Sequence, residues 1–224
     1  MLISHTHRLV CFSNPKTGSE SLRLFLSPLS ELEIFPYRQR HRSLGFYPHV
    51  APFEAARLFE QQGWDFASYR KISFVRDPFA RLVSLYQMIG RVDRLTRLCQ
   101  GLPLGQRNFS RWVRGISLDG RGGGGWPHQR WRRFGTYAYR HWAPVVNGVN
   151  SVDFTIRLED VATEVPALIK ALDLPLEGTF PFENRGGLAN LAAYYDPELC
   201  GYVADLYADD LAKFNYSTPV LSAA

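Results

Sequence analysis

The feature that most constrains this chain is a repeated junction: an apolar run, a short loop, then a helix. Residues 8–12 (RLVCF) read as a buried strand, a Ser-Asn-Pro-Lys-Thr-Gly-Ser turn follows, and a helix starts near Ser19 and stops before Pro28, with Leu22, Phe25 and Leu26 on one face. Residues 71–75 (KISFV) repeat the pattern. There Asp77 is the natural N-cap and Pro78 the first helical residue, ahead of an apolar stripe of Phe79, Leu82, Val83, Tyr86 and Ile89. A third strand over 153–158 precedes a helix over 159–172. Helices are also expected over 52–62, with Phe53, Ala56, Leu58 and Phe59 inward, and over 197–214, with Leu199, Val203, Leu206, Tyr207 and Leu211 inward. A further strand is expected over 31–37, limited by Pro36. Strands alternating with helices predict an α/β fold with a central, mainly parallel sheet.

Length and composition narrow the class. At 224 residues, 46% apolar and 21% charged, the chain fits one globular domain, 1–224, and excludes disordered and collagen-like classes. No run of eighteen apolar residues exists, so no integral membrane segment is expected. The start, MLISHTHRLVCFS, lacks a basic stretch followed by a long apolar region, which points to a cytoplasmic protein. Cys11, Cys99 and Cys200 are odd in number and far apart, so neither a disulfide framework nor a zinc site is expected, and Cys11 reads as a core residue.

The charge is uneven. The net value is +5, and 22 of the 26 basic residues are arginine. Between Arg91 and Arg140 stand eleven arginines, no lysine and only Asp93 and Asp119, a local surplus of nine positive charges. Guanidinium forks suit phosphate, sulfate or carboxylate, although a solvated face in a lysine-poor chain would look the same. Trp112, Trp126, Trp131 and Trp142 interleave with these arginines, as sugar-stacking faces or as core. No nucleic-acid-binding signature is present. Residues 91–148, where the periodicity weakens around the glycine-rich 121–125, are expected to form an acceptor-binding or lid insertion within the domain.

Two segments carry chemistry. Asn14–Ser21 joins a strand to a helix N-terminus, where unpaired backbone N–H groups and the helix dipole favour an anion. Gly18 allows close backbone approach, Lys16 adds charge, and Thr17, Ser19 and Ser21 add hydroxyls. The Walker pattern GxxxxGK[ST] is absent, since Lys16 precedes the glycine, and an ordinary capped turn would share the sequence. In the second segment Arg76 ends a strand at the carboxyl edge, where open parallel sheets bind ligands. Ser84 follows two turns into the helix, off the apolar stripe.

Together these segments resemble a known family. PKTGSES looks like the 5′-phosphosulfate loop of sulfotransferases that use 3′-phosphoadenosine 5′-phosphosulfate (PAPS), and VRDPFARLVSLY is similar to their 3′-phosphate motif. The likeness is to the carbohydrate branch, with its Golgi and soluble bacterial members. It continues through FYPHVAPFEAARLF, TIRLEDVATEVPALIKALDLP and YYDPELCGYVADLYADDLAKFNY, so it covers nearly the whole chain in order.

The resemblance implies a P-loop-like three-layer fold and roles for particular residues. Lys16, Thr17, Gly18, Ser19, Glu20 and Ser21 would bind the 5′-phosphosulfate, Lys16 also touching the bridging oxygen of the leaving phosphate. Arg76 and Ser84 would bind the 3′-phosphate. His49 falls where the family's base lies; standing alone it would be a satisfied polar residue, and Glu54 is the reserve. Relatives often show His-x-Asn where this chain has Phe182-Glu183-Asn184, so any donor contact from that loop rests on Asn184 and Arg185. Glu20 stands where relatives carry a small residue, an awkward place for a carboxylate. Transfer from PAPS to an acceptor hydroxyl, on a carbohydrate and releasing adenosine 3′,5′-bisphosphate, would need no metal. A kinase using ATP and Mg²⁺, or a non-catalytic binder of anionic glycan, are the alternatives.

Overall fold

The computed structural model describes residues 1–90, 109–116, 136–146, 149–178 and 191–221. The chain divides into two compact units, Met1–Arg76 with Trp142–Asn184, and Asp77–His141 with Arg185–Ala224.

The first unit is built on a four-stranded sheet. Strands β1 (Leu2–Ser4), β2 (Leu9–Cys11), β3 (Arg70–Val75) and β6 (Phe154–Arg157) lie in the order β1-β2-β3-β6. The β1–β2 pair is antiparallel, with Leu2 opposite Cys11, and the others are parallel, with Cys11 beside Ile72 and Val75 beside Arg157. Strands β4 (Val145–Val146) and β5 (Val149–Asn150) form a small antiparallel pair apart from this sheet.

The alternation of a strand sends its side chains to two layers. Leu9, Cys11, Ile72, Phe74 and Ile156 face a core shared with helix α1 (Ser19–Leu26), through Leu26, and with the helix Val161–Ala171, through Val161 and Val165. On the other face Phe12 meets Phe66, which meets Phe59 of helix α2 (Pro52–Gln61), and Phe59 in turn packs edge-on against Phe46, Trp64 and Tyr69. A mostly parallel sheet flanked by helices is the expected α/β, P-loop-like fold.

The second unit packs helix α3 (Pro78–Gly90) with the helices Phe109–Arg114 and Pro197–Leu206. The expected cap is present: the Asp77 carboxylate accepts from the N–H groups of Phe79 and Ala80 at 3.1 and 3.2 Å. Phe79, Leu82, Val83, Phe109, Val113 and Val203 are fully buried in this core.

Several expectations need correction. Residues 31–37 form no strand. The Glu31 carboxylate instead accepts from Ser4 Oγ and from the N–H groups of His5 and Thr6, holding the chain over the β1–β2 turn, and a 3₁₀ helix, Tyr37–Ser43, follows Pro36. The edge strand beside β2 is β1, formed by the apolar Leu2-Ile3 start. In α2 Phe59 is buried as expected, but Ala55 takes the inward place expected of Ala56, and Phe53 is exposed. The closing helix breaks at Tyr207 into Pro197–Leu206 and Ala208–Phe214. The break lets the buried Tyr207 hydroxyl donate to Thr136 O at 2.7 Å and the Asp210 carboxylate accept the Tyr139 N–H at 2.9 Å.

Candidate active site

The carboxyl edge of the parallel strands carries loop 13–18 after β2, Arg76 immediately after β3 and Arg157 at the end of β6. Arg157 is ion-paired with Asp160 at 3.2 Å. The loop is internally braced. Thr17 is buried, and both its hydroxyl (2.7 Å) and its N–H (3.4 Å) donate to the Asn14 carbonyl. Lys16 takes a left-handed conformation with φ +66°, unusual for a residue bearing a side chain, and Gly18 does the same at φ +78°.

Gly18 caps α1 without any side-chain hydrogen bond to the first turn, the condition that leaves helix N–H groups for an anion. A Cβ at this position would lie 2.5 Å from Leu158 Cδ1, so the loop can pack this closely only with glycine. Asn14 is wholly buried and neither atom of its amide has a partner. An unpaired amide beside an uncapped helix start fits a polar ligand better than an apolar one. Ser19 and Glu20 begin α1, and Ser21 is buried in its first turn.

Two long-range hydrogen bonds bring candidate functional side chains to this loop. Arg76 Nη1 donates to the Lys16 carbonyl at 3.3 Å. His49 Nδ1 lies 2.8 Å from the Ser13 carbonyl. A carbonyl can only accept, so Nδ1 carries the hydrogen and the neutral ring has its lone pair on Nε2, the tautomer a general base requires. The Met1 α-amine donates to Ser13 Oγ at 2.9 Å and to Pro48 O at 2.7 Å, stitching the same two segments a second time. Burial pulls that amine down to about 5 and pushes the neighbouring Cys11 thiol up to about 12. Glu54 is held by the Tyr47 hydroxyl at 2.6 Å.

The model of the Sulfotransferase family matches residues 1–217. The chain belongs to the sulfotransferase family. Comparison with curated proteins and with solved structures gives no match. As a sulfotransferase the chain is a transferase, and the family implies a sulfate donor and a hydroxyl acceptor.

Sequence and structure meet unevenly over the candidate site. Lys16, Thr17, Gly18, Ser21, His49 and Arg76 belong to the first unit, and the bonds above tie His49 and Arg76 to the loop. Ser84 is half-buried on α3 in the second unit. Asn184, Arg185 and the 121–125 stretch lie outside the described residues. Ser13, whose carbonyl accepts from His49, and Leu158, which packs against Gly18, carry no signal of these contacts in the sequence. Asn14 was legible only as the start of the loop.

Trp112 and Trp142 are buried core residues, and Trp142 Nε1 donates to Ser73 Oγ at 3.3 Å; Trp126 and Trp131 lie outside the described residues. From the arginine-rich window, Arg114 pairs with Glu198 and Arg140 with Asp209, all on the surface. Among the described residues no group of three or more His, Cys, Asp or Glu could hold a metal, and no helix is long and apolar enough to cross a membrane.

Proposed function

We propose that this sulfotransferase moves a sulfuryl group from PAPS to an acceptor hydroxyl on a carbohydrate, by in-line transfer. The observation that carries this reading is the 2.8 Å contact between His49 Nδ1 and the Ser13 carbonyl, which attaches a correctly tautomerised base to the opening of an anion loop. His49 Nε2 takes the proton as the acceptor oxygen bonds to sulfur. The bond from sulfur to the bridging oxygen breaks, and its electron pair stays on the departing 5′-phosphate. Lys16 and the N–H groups at the start of α1 stabilise the charge that develops there. Holding the reactants in line supplies much of the remaining rate.

Arg76 is assigned to the 3′-phosphate by its place at the strand end as well as by its motif, and Ser84 by the motif alone. Ser19, Glu20, Asn184 and Arg185 keep their donor-binding assignments from the resemblance. The arginine-rich segment is assigned to acceptor binding, which suits an anionic sugar.

Thermal stabilisation tests the donor without needing an acceptor. Adenosine 3′,5′-bisphosphate at a hundred times its Kd should stabilise the protein by about 2.7 kcal/mol. ADP with Mg²⁺ should do much less, and His49→Ala should keep the response while losing turnover. Equal stabilisation, or preference for ADP with Mg²⁺, would refute the reading in favour of a kinase. No stabilisation would refute it in favour of a binding module.

A further inference from the structure

The bond from Arg76 to the loop has a consequence beyond binding a 3′-phosphate. We infer that Arg76 is also a positioning residue for the 5′ loop: by holding the Lys16 carbonyl it keeps Lys16 in its left-handed conformation, so that the loop is preset for a 5′-phosphosulfate and the two ends of the donor are recognised cooperatively. This inference rests on the donor-site reading above.

Three observations converge. Lys16 has φ +66°, a conformation disfavoured for a side-chain-bearing residue by roughly tenfold. Unlike Asn or Asp, lysine has no short polar side chain to offset that cost locally. The Lys16 carbonyl does have a donor, Arg76 Nη1 at 3.3 Å, sixty residues away in sequence. Arg76 can reach it because β2 and β3 are parallel neighbours, with Cys11 beside Ile72, so the chain leaving β2 runs past the end of β3.

Gly18, two residues on, meets the side chain of Leu158 from beyond β6, and Thr17 is tied to Asn14. The Lys16 peptide is therefore the point at which the loop is gripped from β3. A guanidinium carries five N–H donors in a rigid fork, so gripping one carbonyl does not exhaust it, and a 3′-phosphate can be bound by the same group. A phosphate that orders the Arg76 fork also firms its hold on Lys16. The fraction of molecules with a competent loop then rises, and with it the apparent affinity for the 5′ end.

The test uses ligands that lack the 3′-phosphate. Calorimetric affinities for adenosine 5′-phosphosulfate and adenosine 5′-phosphate are measured beside those for adenosine 3′,5′-bisphosphate, on wild type, Arg76→Ala and Arg76→Lys. Were Arg76 a 3′-phosphate ligand only, Arg76→Ala would leave the 5′-only ligands untouched. The inference expects Arg76→Ala to weaken them about fivefold, the factor one net hydrogen bond is worth, and Arg76→Lys to recover part of that loss.

A Lys16→Gly background sharpens the comparison, because glycine needs no support at φ +66°. There the effect of Arg76→Ala on 5′-only ligands should vanish, a non-additivity that a general loss of fold would not produce. Should Arg76→Ala not fold, Arg76→Lys carries the same comparison. Weakened bisphosphate binding with unchanged 5′-only binding overturns the inference and leaves the donor-site reading standing. Failure of wild type to bind the 5′-only ligands at millimolar concentration, while it binds the bisphosphate, also overturns it, since the loop is then not preset. Failure to bind the bisphosphate at all overturns both.

Discussion

Gly18→Ala isolates the geometric demand of the loop after β2. The new Cβ would stand 2.5 Å from Leu158 Cδ1, well inside contact distance, on a backbone with φ +78°. The left-handed conformation costs a side-chain-bearing residue about 1–2 kcal/mol. Overpacking costs typically about 1–3 kcal/mol, and the low end applies here because the clashing atom ends a rotatable, half-buried side chain. The expected loss is therefore about 2–3 kcal/mol, and at about 2–4 °C per kcal/mol for a chain of this length Tm should fall by roughly 4–12 °C.

Urea unfolding followed by tryptophan fluorescence measures it, with Trp64 and Trp142 reporting on the first unit. A double-mutant cycle with Leu158→Ala separates the two costs. The steric part, about 1 kcal/mol, should appear as favourable coupling, and the backbone part should persist. A Gly18→Ala protein within about 0.5 kcal/mol of wild type would refute the argument. So would complete rescue by Leu158→Ala, since that would leave nothing for the backbone.

Two further expectations follow from charge and burial. Hydrogen bonds from the Thr6 N–H first, then the Thr6 hydroxyl, the His5 N–H and the Ser4 hydroxyl, pull the Glu31 carboxyl down to about 2. A depressed carboxyl contributes stability that is present above its unfolded pKa of 4.5 and lost as pH falls towards about 2. Glu31 is exposed, so solvent screening limits this to about 1 kcal/mol or less. Glu31→Gln should flatten the urea stability profile between those pH values, and an unchanged slope would refute it. Burial pushes the Cys11 thiol up to about 12 and raises Cys200 as well. In a Cys99→Ser protein neither thiol should react with iodoacetamide at pH 8 until urea unfolds the chain; fast labelling of the native protein would contradict the burial.

What could be read from sequence was local, and what could not was contact at a distance. The loop, the Asp77 cap and strands β2, β3 and β6 all declare themselves within about ten residues, through apolar runs, Pro78 and Gly18. Arg81 does not. It sits beside the apolar stripe of α3 and would pass for a solvated arginine, yet it is buried, and its guanidinium donates to the Tyr137 carbonyl at 2.7 Å, fifty-six residues away. The break at Tyr207 was hidden for the same reason: the apolar period runs straight through it, and the contacts it serves, Tyr207 to Thr136 O and Tyr139 N–H to Asp210, join residues seventy-one apart in sequence. In the site, the pattern puts Lys16 in the loop after a strand and Arg76 at a strand end but cannot say that one grips the other. His49 stood out by resemblance alone, because the Ser13 carbonyl that orients it lies thirty-six residues earlier.

Those two long-range bonds share a logic. Each ends on a backbone carbonyl of the same short loop, Ser13 for His49 and Lys16 for Arg76. Main-chain acceptors move only when the loop moves, so His49 and the strand-end Arg76 are indexed to the loop itself and not to each other. Substituting Ser13 or Thr17 should therefore disturb both side chains through one displacement, whereas substituting His49 should leave Arg76 in place. Asn14 sharpens the point, because a buried amide with neither atom paired costs about 1–3 kcal/mol per unsatisfied group in a protein interior. A loop that tolerates that cost beside a left-handed lysine is not arranged for stability alone, which is what the proposed donor binding requires of it.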